Sequence, residues 1–137
     1  VRIPHRAELS DMHAFIIRGP SKSLLFLTDH DTWNETLTAH NCSSIRELLG
    51  KLNVDIALVD GTFWSENELP GRNQAQVPHP PVLQTLNMLG EKKQGDPDII
   101  FTHLNHTNPL YNKDSEQYAE VERLGWSVAH QGQRFNL

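Results

Sequence analysis

Leu24-Leu25-Phe26-Leu27-Thr28-Asp29-His30-Asp31-Thr32-Trp33 runs from an apolar stretch straight into a polar one, and that junction decides the fold. Turn residues stand upstream in Gly19-Pro20-Ser21-Lys22, so Ser23 to Thr28 reads as a strand, with His13 to Arg18 as its hairpin partner. The junction recurs twice. Val54 to Val59 is a continuous apolar strand ended by Asp60-Gly61, and Ile99 to Thr102 is another that ends at His103-Leu104-Asn105-His106. Between these strands lie three stretches with one apolar stripe at helical spacing. The first is capped by Ser43 or Ser44 and runs to about Leu52, the second spans Val82 to Lys92, and the third starts near a cap at Asp114 and stops at Leu124 before Gly125. Trp126 to His130 closes the chain as a strand. The order ββαβαβαβ, with each helix apolar on one side only, predicts an α/β fold: one mixed sheet with helices on one face.

The 137 residues suit a single domain over 1–137, and no repeat or linker divides them. Twelve Lys and Arg stand against 17 Asp and Glu, a net charge of -5, and the longest basic run is Lys92-Lys93. Binding a nucleic-acid backbone by counterion release needs a basic face, so nucleic acid is excluded as a partner. The apolar runs fall far short of the roughly 20 residues of a membrane span. Cys42 is the only cysteine, which rules out an internal disulfide and four-thiolate metal sites and fits a cytoplasmic location. The chain opens on Val1 without a signal-peptide pattern, and a native start and a truncation both remain open.

Three polar loops follow the three apolar strands: Asp29-His30-Asp31, Asp60-Gly61-Thr62 and His103-Leu104-Asn105-His106. Neighbouring strands would bring these ends to one sheet edge, where carboxylates and imidazoles can share zinc, manganese or iron. Spacing alone is generic, and solvated loop ends with Asp in turn positions account for it more simply. The stretch from Thr62 to Pro81 is long and rich in Pro, Gly and Asn, as functional loops are. Within it His79 lies between Pro78 and Pro80, whose restricted dihedrals would hold its ring in place for a catalytic or substrate-facing role, or as a loop anchor.

Consecutive blocks give a more specific signal. They are Pro4-His5-Arg6 with Glu8, Ser10 and Asp11; Leu24 to Trp33; Val59-Asp60-Gly61-Thr62-Phe63-Trp64; Glu68-Leu69-Pro70-Gly71-Arg72; Val77-Pro78-His79-Pro80-Pro81; and Phe101-Thr102-His103-Leu104-Asn105-His106-Thr107-Asn108-Pro109. In this order they resemble the coenzyme PQQ synthesis protein B family over nearly the whole chain. The resemblance implies a metallo-β-lactamase fold, an αββα sandwich of which this chain would be the C-terminal half. Complete members carry HxHxDH in the first half, and no such motif occurs here.

The family's later metal ligands fall on Asp29, which would bridge metals, and on His103, with Asp31 a weaker candidate. Asp60, His106, Asn105 and Asn108 are expected to hydrogen-bond around the ligands and orient them. His5, His13, His40 and His130 read as locally bonded or exposed, Cys42 has no assigned role, and Trp33, Phe63 and Trp64 read as core cover or as walls of a pocket. The implied function is a metal-dependent hydrolase acting on a small molecule. Its divalent metal, zinc with manganese or iron as alternatives, would be weakly held because the first-half ligands are missing. The partner would be a missing N-terminal half or a second copy in a homodimer. A non-catalytic stand-alone or dimeric domain with little metal binding is the competing expectation.

Overall fold

The computed structural model describes residues 1–6, 11–69 and 73–137. Glu8, Ser10, Pro70, Gly71 and Arg72 of the blocks quoted above lie outside the described residues. Strands β1 (Arg2–Ile3) and β2 (Met12–His13) form a small antiparallel pair. The main sheet has five strands in spatial order β3 (Phe15–Arg18), β4 (Ser23–Leu27), β5 (Ile56–Asp60), β6 (Asp98–Thr102) and β7 (Ser127–Val128). β3 and β4 are the antiparallel hairpin, and β4 to β7 run parallel. The fold is therefore α/β with one mixed sheet.

Alternation along the strands divides the sheet into two unlike faces. Leu25 and Leu27, Ala57 and Val59, and Ile99 and Phe101 point to one side, where they form a single buried cluster with residues of four helices among the described residues. Those helices are α1 (Trp33–Ala39), α2 (Ile45–Leu52), α3 (Val82–Leu89) and α4 (Glu116–Arg123). The other face carries Leu24, Ile56, Leu58 and Ile100, packed against by Ala129 and the tail residues Phe135 and Leu137. Toward the β3 edge this cover ends, leaving Phe15 63% and Ile17 53% exposed. One face is packed by helices and the other is half bare.

The sequence expectations differ from the structure at element ends and at one helix. α4 is capped by Ser115, whose side chain accepts from the Tyr118 amide, instead of by Asp114. α3 stops at Leu89 because Gly90 leaves the helix with φ +63°, and β7 is only two residues long. The apolar pattern of the sequence does not predict α1. Its stretch Trp33-Asn34-Glu35-Thr36-Leu37-Thr38-Ala39 has only Trp33 and Leu37 at large-apolar helical spacing and two β-branched threonines. What holds it is capping and burial: Thr32 accepts from the Glu35 amide, and the Trp33 indole is buried while donating to Thr85 Oγ1 at 2.8 Å.

α2 has a reciprocal cap. Ser44 Oγ accepts from the Glu47 amide at 3.1 Å, and the Glu47 carboxylate takes the Ser43 amide and hydroxyl, each at 2.7 Å. Replacing Ser44 with Ala removes one of these bonds from a helix whose Ile45, Leu48 and Leu49 are buried. The expected loss is about 1 kcal/mol of unfolding free energy. Urea denaturation of the variant measures it, and an unchanged midpoint would refute this account of the cap.

Candidate metal centre

Because β4, β5 and β6 are parallel neighbours, their C-terminal ends meet on one edge. Asp60 is the last residue of β5, and its side chain is fully buried. Asp29, two residues past β4, and His103, the residue after β6, both take left-handed backbone, with φ +62° and +59°. Non-glycine residues reach that region at a cost, and such outliers concentrate at functional sites. Gly61 allows the ends of β5 and β6 to close up, since a Cβ there would lie 2.9 Å from the Thr102 carbonyl oxygen.

Asp60 is the hub of this edge. Its Oδ2 accepts the Asp29 amide at 2.6 Å and His79 Nδ1 at 2.9 Å, and its Oδ1 accepts the Thr62 amide at 2.9 Å. His103 Nδ1 lies 3.5 Å from the same Oδ2. Thr62 Oγ1 stands between the two imidazoles, 3.1 Å from His79 Nδ1 and 2.9 Å from His103 Nδ1. On the far side of the His79 ring, Nε2 lies 3.7 Å from Asp29 Oδ1. Exposure is graded from a bare Asp29 side chain (64%) and His103 (46%) to His79 (8%) and Asp60 (0%).

The electrostatics follow from this packing. Burial works against the Asp60 anion, yet the nearby His103 and the bonds from His79 and the Thr62 amide outweigh it and hold the carboxyl well below the usual carboxylate range. The His103 imidazole is raised, first by the Asp60 carboxylate 3.5 Å from its Nδ1 and against its own burial. His30 was given no role on sequence. It is wholly buried, edge-on to Trp33 with ring centroids 4.6 Å apart, and neither ring nitrogen has a partner among the described residues. Desolvation pushes its pKa down to about 4, with Asp60 pulling the other way.

Among the described residues, one group of three potential ligands offers atoms within 4.8 Å of one another: Asp60, His79 and His103. Asp29 adjoins it through His79. Two ligands that share a tetrahedral zinc at about 2.0–2.2 Å lie about 3.3–3.6 Å apart. The 3.7 Å between His79 Nε2 and Asp29 Oδ1 is close to that spacing and too long for a hydrogen bond. The 2.9 Å between His79 Nδ1 and Asp60 is a hydrogen bond. The donor set is carboxylate and imidazole, which suits a borderline divalent cation, and the residues fit one.

The other sequence candidates are placed differently. Asp31 is not in the group: its Oδ2 takes the Arg6 amide at 2.6 Å, and its Oδ1 lies 3.6 Å from His5 Nε2. His106 is exposed and hydrogen-bonds to none of the described residues, so the orienting role expected of it has no contact behind it. Asn105 bonds Thr107, and Asn108 Nδ2 donates to the Gly61 carbonyl at 2.7 Å, tying the loop after β6 to the end of β5. His40 bonds the Arg2 carbonyl, while Trp33 and Phe63 are core. Two cavities flank the centre. One of 630 Å³ is lined by His79, Asp31 and Gln84 among others, and one of 440 Å³ by Asp29, His5, Phe15 and Phe26.

No protein-family model matches the chain. Coenzyme PQQ synthesis protein B of Acinetobacter baumannii (strain SDF) is 28% identical over 126 residues, 82% of this chain and 40% of that protein. The namesake from Cupriavidus necator is 32% identical over 96 residues, 62% of this chain and 30% of that protein. Over these spans the chain is similar to coenzyme PQQ synthesis protein B. The crystal structure of Zn(2+)-bound PqqB from Methylobacterium extorquens superposes with a TM-score of 0.60 at 24% identity, over 90% of this chain and 40% of that one. The architecture is accordingly part of a metallo-β-lactamase fold. The chain spans about 40% of the length of the synthesis protein B from A. baumannii that it matches.

Proposed function

We propose that this chain supplies part of the metal centre of a metal-dependent hydrolase related to coenzyme PQQ synthesis protein B. Asp29, His79 and His103 are the ligands and Asp60 is the carboxylate that orients them. The observation that carries this reading is the 3.7 Å approach of His79 Nε2 to Asp29 Oδ1 beside His103, at the shared end of three parallel strands. A divalent metal at such a site makes water nucleophilic near neutral pH. Zinc is the favoured ion, because the donors suit it and the PqqB of similar fold is described as Zn(2+)-bound.

The chain's own residues do three things at this site. Asp60 holds His79 by its Nδ1. Asp29 keeps an exposed carboxylate at the mouth. The 630 Å³ cavity beside His79 gives room for a small-molecule substrate. Asp31 belongs to the wall of that cavity in this reading. The bare face at Phe15, Ile17 and Phe26 favours a covering partner, either an N-terminal half of the same protein or a second copy.

With about three protein ligands and the HxHxDH ligands of complete relatives absent, the isolated chain is expected to bind zinc weakly and to turn over little or nothing. Metal analysis before and after dialysis tests this, with assays on ester, phosphodiester and lactam substrates and size-exclusion chromatography of the same sample. Asp29→Ala and His103→Ala should each weaken zinc binding at least about tenfold, as loss of even an outer partner does. Affinity unchanged in both variants would refute the assignment. Dialysis-resistant stoichiometric zinc with turnover would show a complete site in this chain.

A further inference from the structure

We propose that Thr62 is a positioning residue. Its hydroxyl holds His103, and together with Asp60 holds His79, as the tautomers protonated on Nδ1, leaving both Nε2 lone pairs free for a divalent metal. The metal part of this statement rests on the function proposed above; the tautomers do not.

The argument is a count of protons. Thr62 Oγ1 has three polar neighbours: the His103 carbonyl oxygen at 3.1 Å, His103 Nδ1 at 2.9 Å and His79 Nδ1 at 3.1 Å. A hydroxyl has one hydrogen and two lone pairs, and a carbonyl oxygen only accepts. The single hydrogen therefore goes to the carbonyl. Toward the imidazoles the hydroxyl can only accept, so each Nδ1 must bring its own hydrogen. Asp60 imposes the same answer on His79, because an ionised carboxylate 2.9 Å from Nδ1 is also acceptor-only. For His103 the carboxylate is 3.5 Å away, which leaves Thr62 as the nearer and better acceptor.

Thr62 is itself pinned. Its amide is bonded to Asp60 Oδ1 at 2.9 Å, its carbonyl accepts the Asn105 amide at 3.0 Å, and the residue is buried. A neutral imidazole has one protonated and one free nitrogen, so Nδ1–H on both rings means two free Nε2 atoms. The His79 one is the atom that approaches Asp29. The outer bond that fixes a ligating histidine's tautomer is usually given to a carboxylate or a backbone carbonyl. Here one threonine serves two histidines, and a threonine after Asp-Gly otherwise reads as a turn residue.

Nitrogen-resolved NMR of the two imidazoles in the metal-free chain tests the proposal at about pH 9, above the ordinary histidine range. Both rings should show protonated Nδ1 and bare Nε2. Thr62→Val should leave His79 biased by Asp60 but give His103 a mixture of tautomers, and should lower zinc affinity by about 10–100-fold. Thr62→Ser keeps a hydroxyl and should restore both. Hydrogen on Nε2 of either ring in the unmodified chain overturns the proposal, and so does a folded Thr62→Val chain with unchanged tautomers. If Thr62→Val does not fold, the spectra of the unmodified chain and of Thr62→Ser still decide, since loss of the Nδ1–H pattern in either one refutes it. Correct tautomers in a chain that binds no zinc would uphold the role of Thr62 and sink the metal reading instead.

Discussion

Acidification from about pH 6.5 to about pH 4 should remove roughly 3 kcal/mol of folding stability through His30 alone. Unfolded, the ring takes a proton near its ordinary pKa of about 6.5. Folded, it resists protonation until about pH 4, because burial strips water from the cation. Between those values the unfolded chain binds one proton more than the folded chain, so stability falls as pH falls, by about 1.4 kcal/mol per unit. Above pH 6.5 both states are neutral at this residue and it contributes no slope. His30→Phe isolates the effect. Among the described residues the ring nitrogens have no partners to lose, and an aromatic ring keeps the edge contact on Trp33. Urea titrations of both proteins at pH 7 and pH 4.5 should show the variant losing about 2–3 kcal/mol less than the parent on acidification. Parallel losses in the two would mean that His30 is hydrated or partnered in solution.

His30 also shows where sequence reading runs out. Asp29-His30-Asp31 is polar throughout, so pattern alone gives a solvated loop. The chain instead turns at Asp29 with φ +62°, sending one carboxylate to the mouth, the ring into the core and the other carboxylate toward His5 and the Arg6 amide. Successive side chains parted by a left-handed residue leave no trace in composition. β4, β5 and β6 were legible because their apolar runs are continuous and end in polar residues, and the convergence of Asp29, Asp60 and His103 follows once the three strands are parallel neighbours. The fold of the 62–81 loop was not legible. That loop carries His79 back under Asp60 through long-range bonds, including those of the Val82 and Leu83 amides to the carbonyls of Phe63 and Trp64. α1 escaped for a local reason: its stability comes from Trp33 in the core and from the Thr32 cap, and little of it from repeated apolar spacing.

Replacing Asp60 with Ala should cost about 3–5 kcal/mol, because each buried donor left without its acceptor costs about 1–3 kcal/mol. The fully buried carboxylate accepts from the amides of Asp29 and Thr62 and from His79 Nδ1. Its loss strands two backbone amides where turns are tight, leaves His79 Nδ1 with Thr62 Oγ1 alone, and takes from the left-handed Asp29 the bond that offsets its conformation. Asp60→Asn separates charge from shape. The amide fills the same space and one oxygen can still accept, but its NH2 must face a donor, so part of the cost should persist. Chemical denaturation without metal gives the folding term, and zinc titration of whatever remains folded gives the site term. Since Asp60 touches His79, His103 and Asp29 together, zinc affinity should fall by at least the 10–100-fold of a lost outer partner. An Asp60→Ala chain as stable as its parent would mean that the edge closes over a void or water without this carboxylate, and the hub would then lie elsewhere.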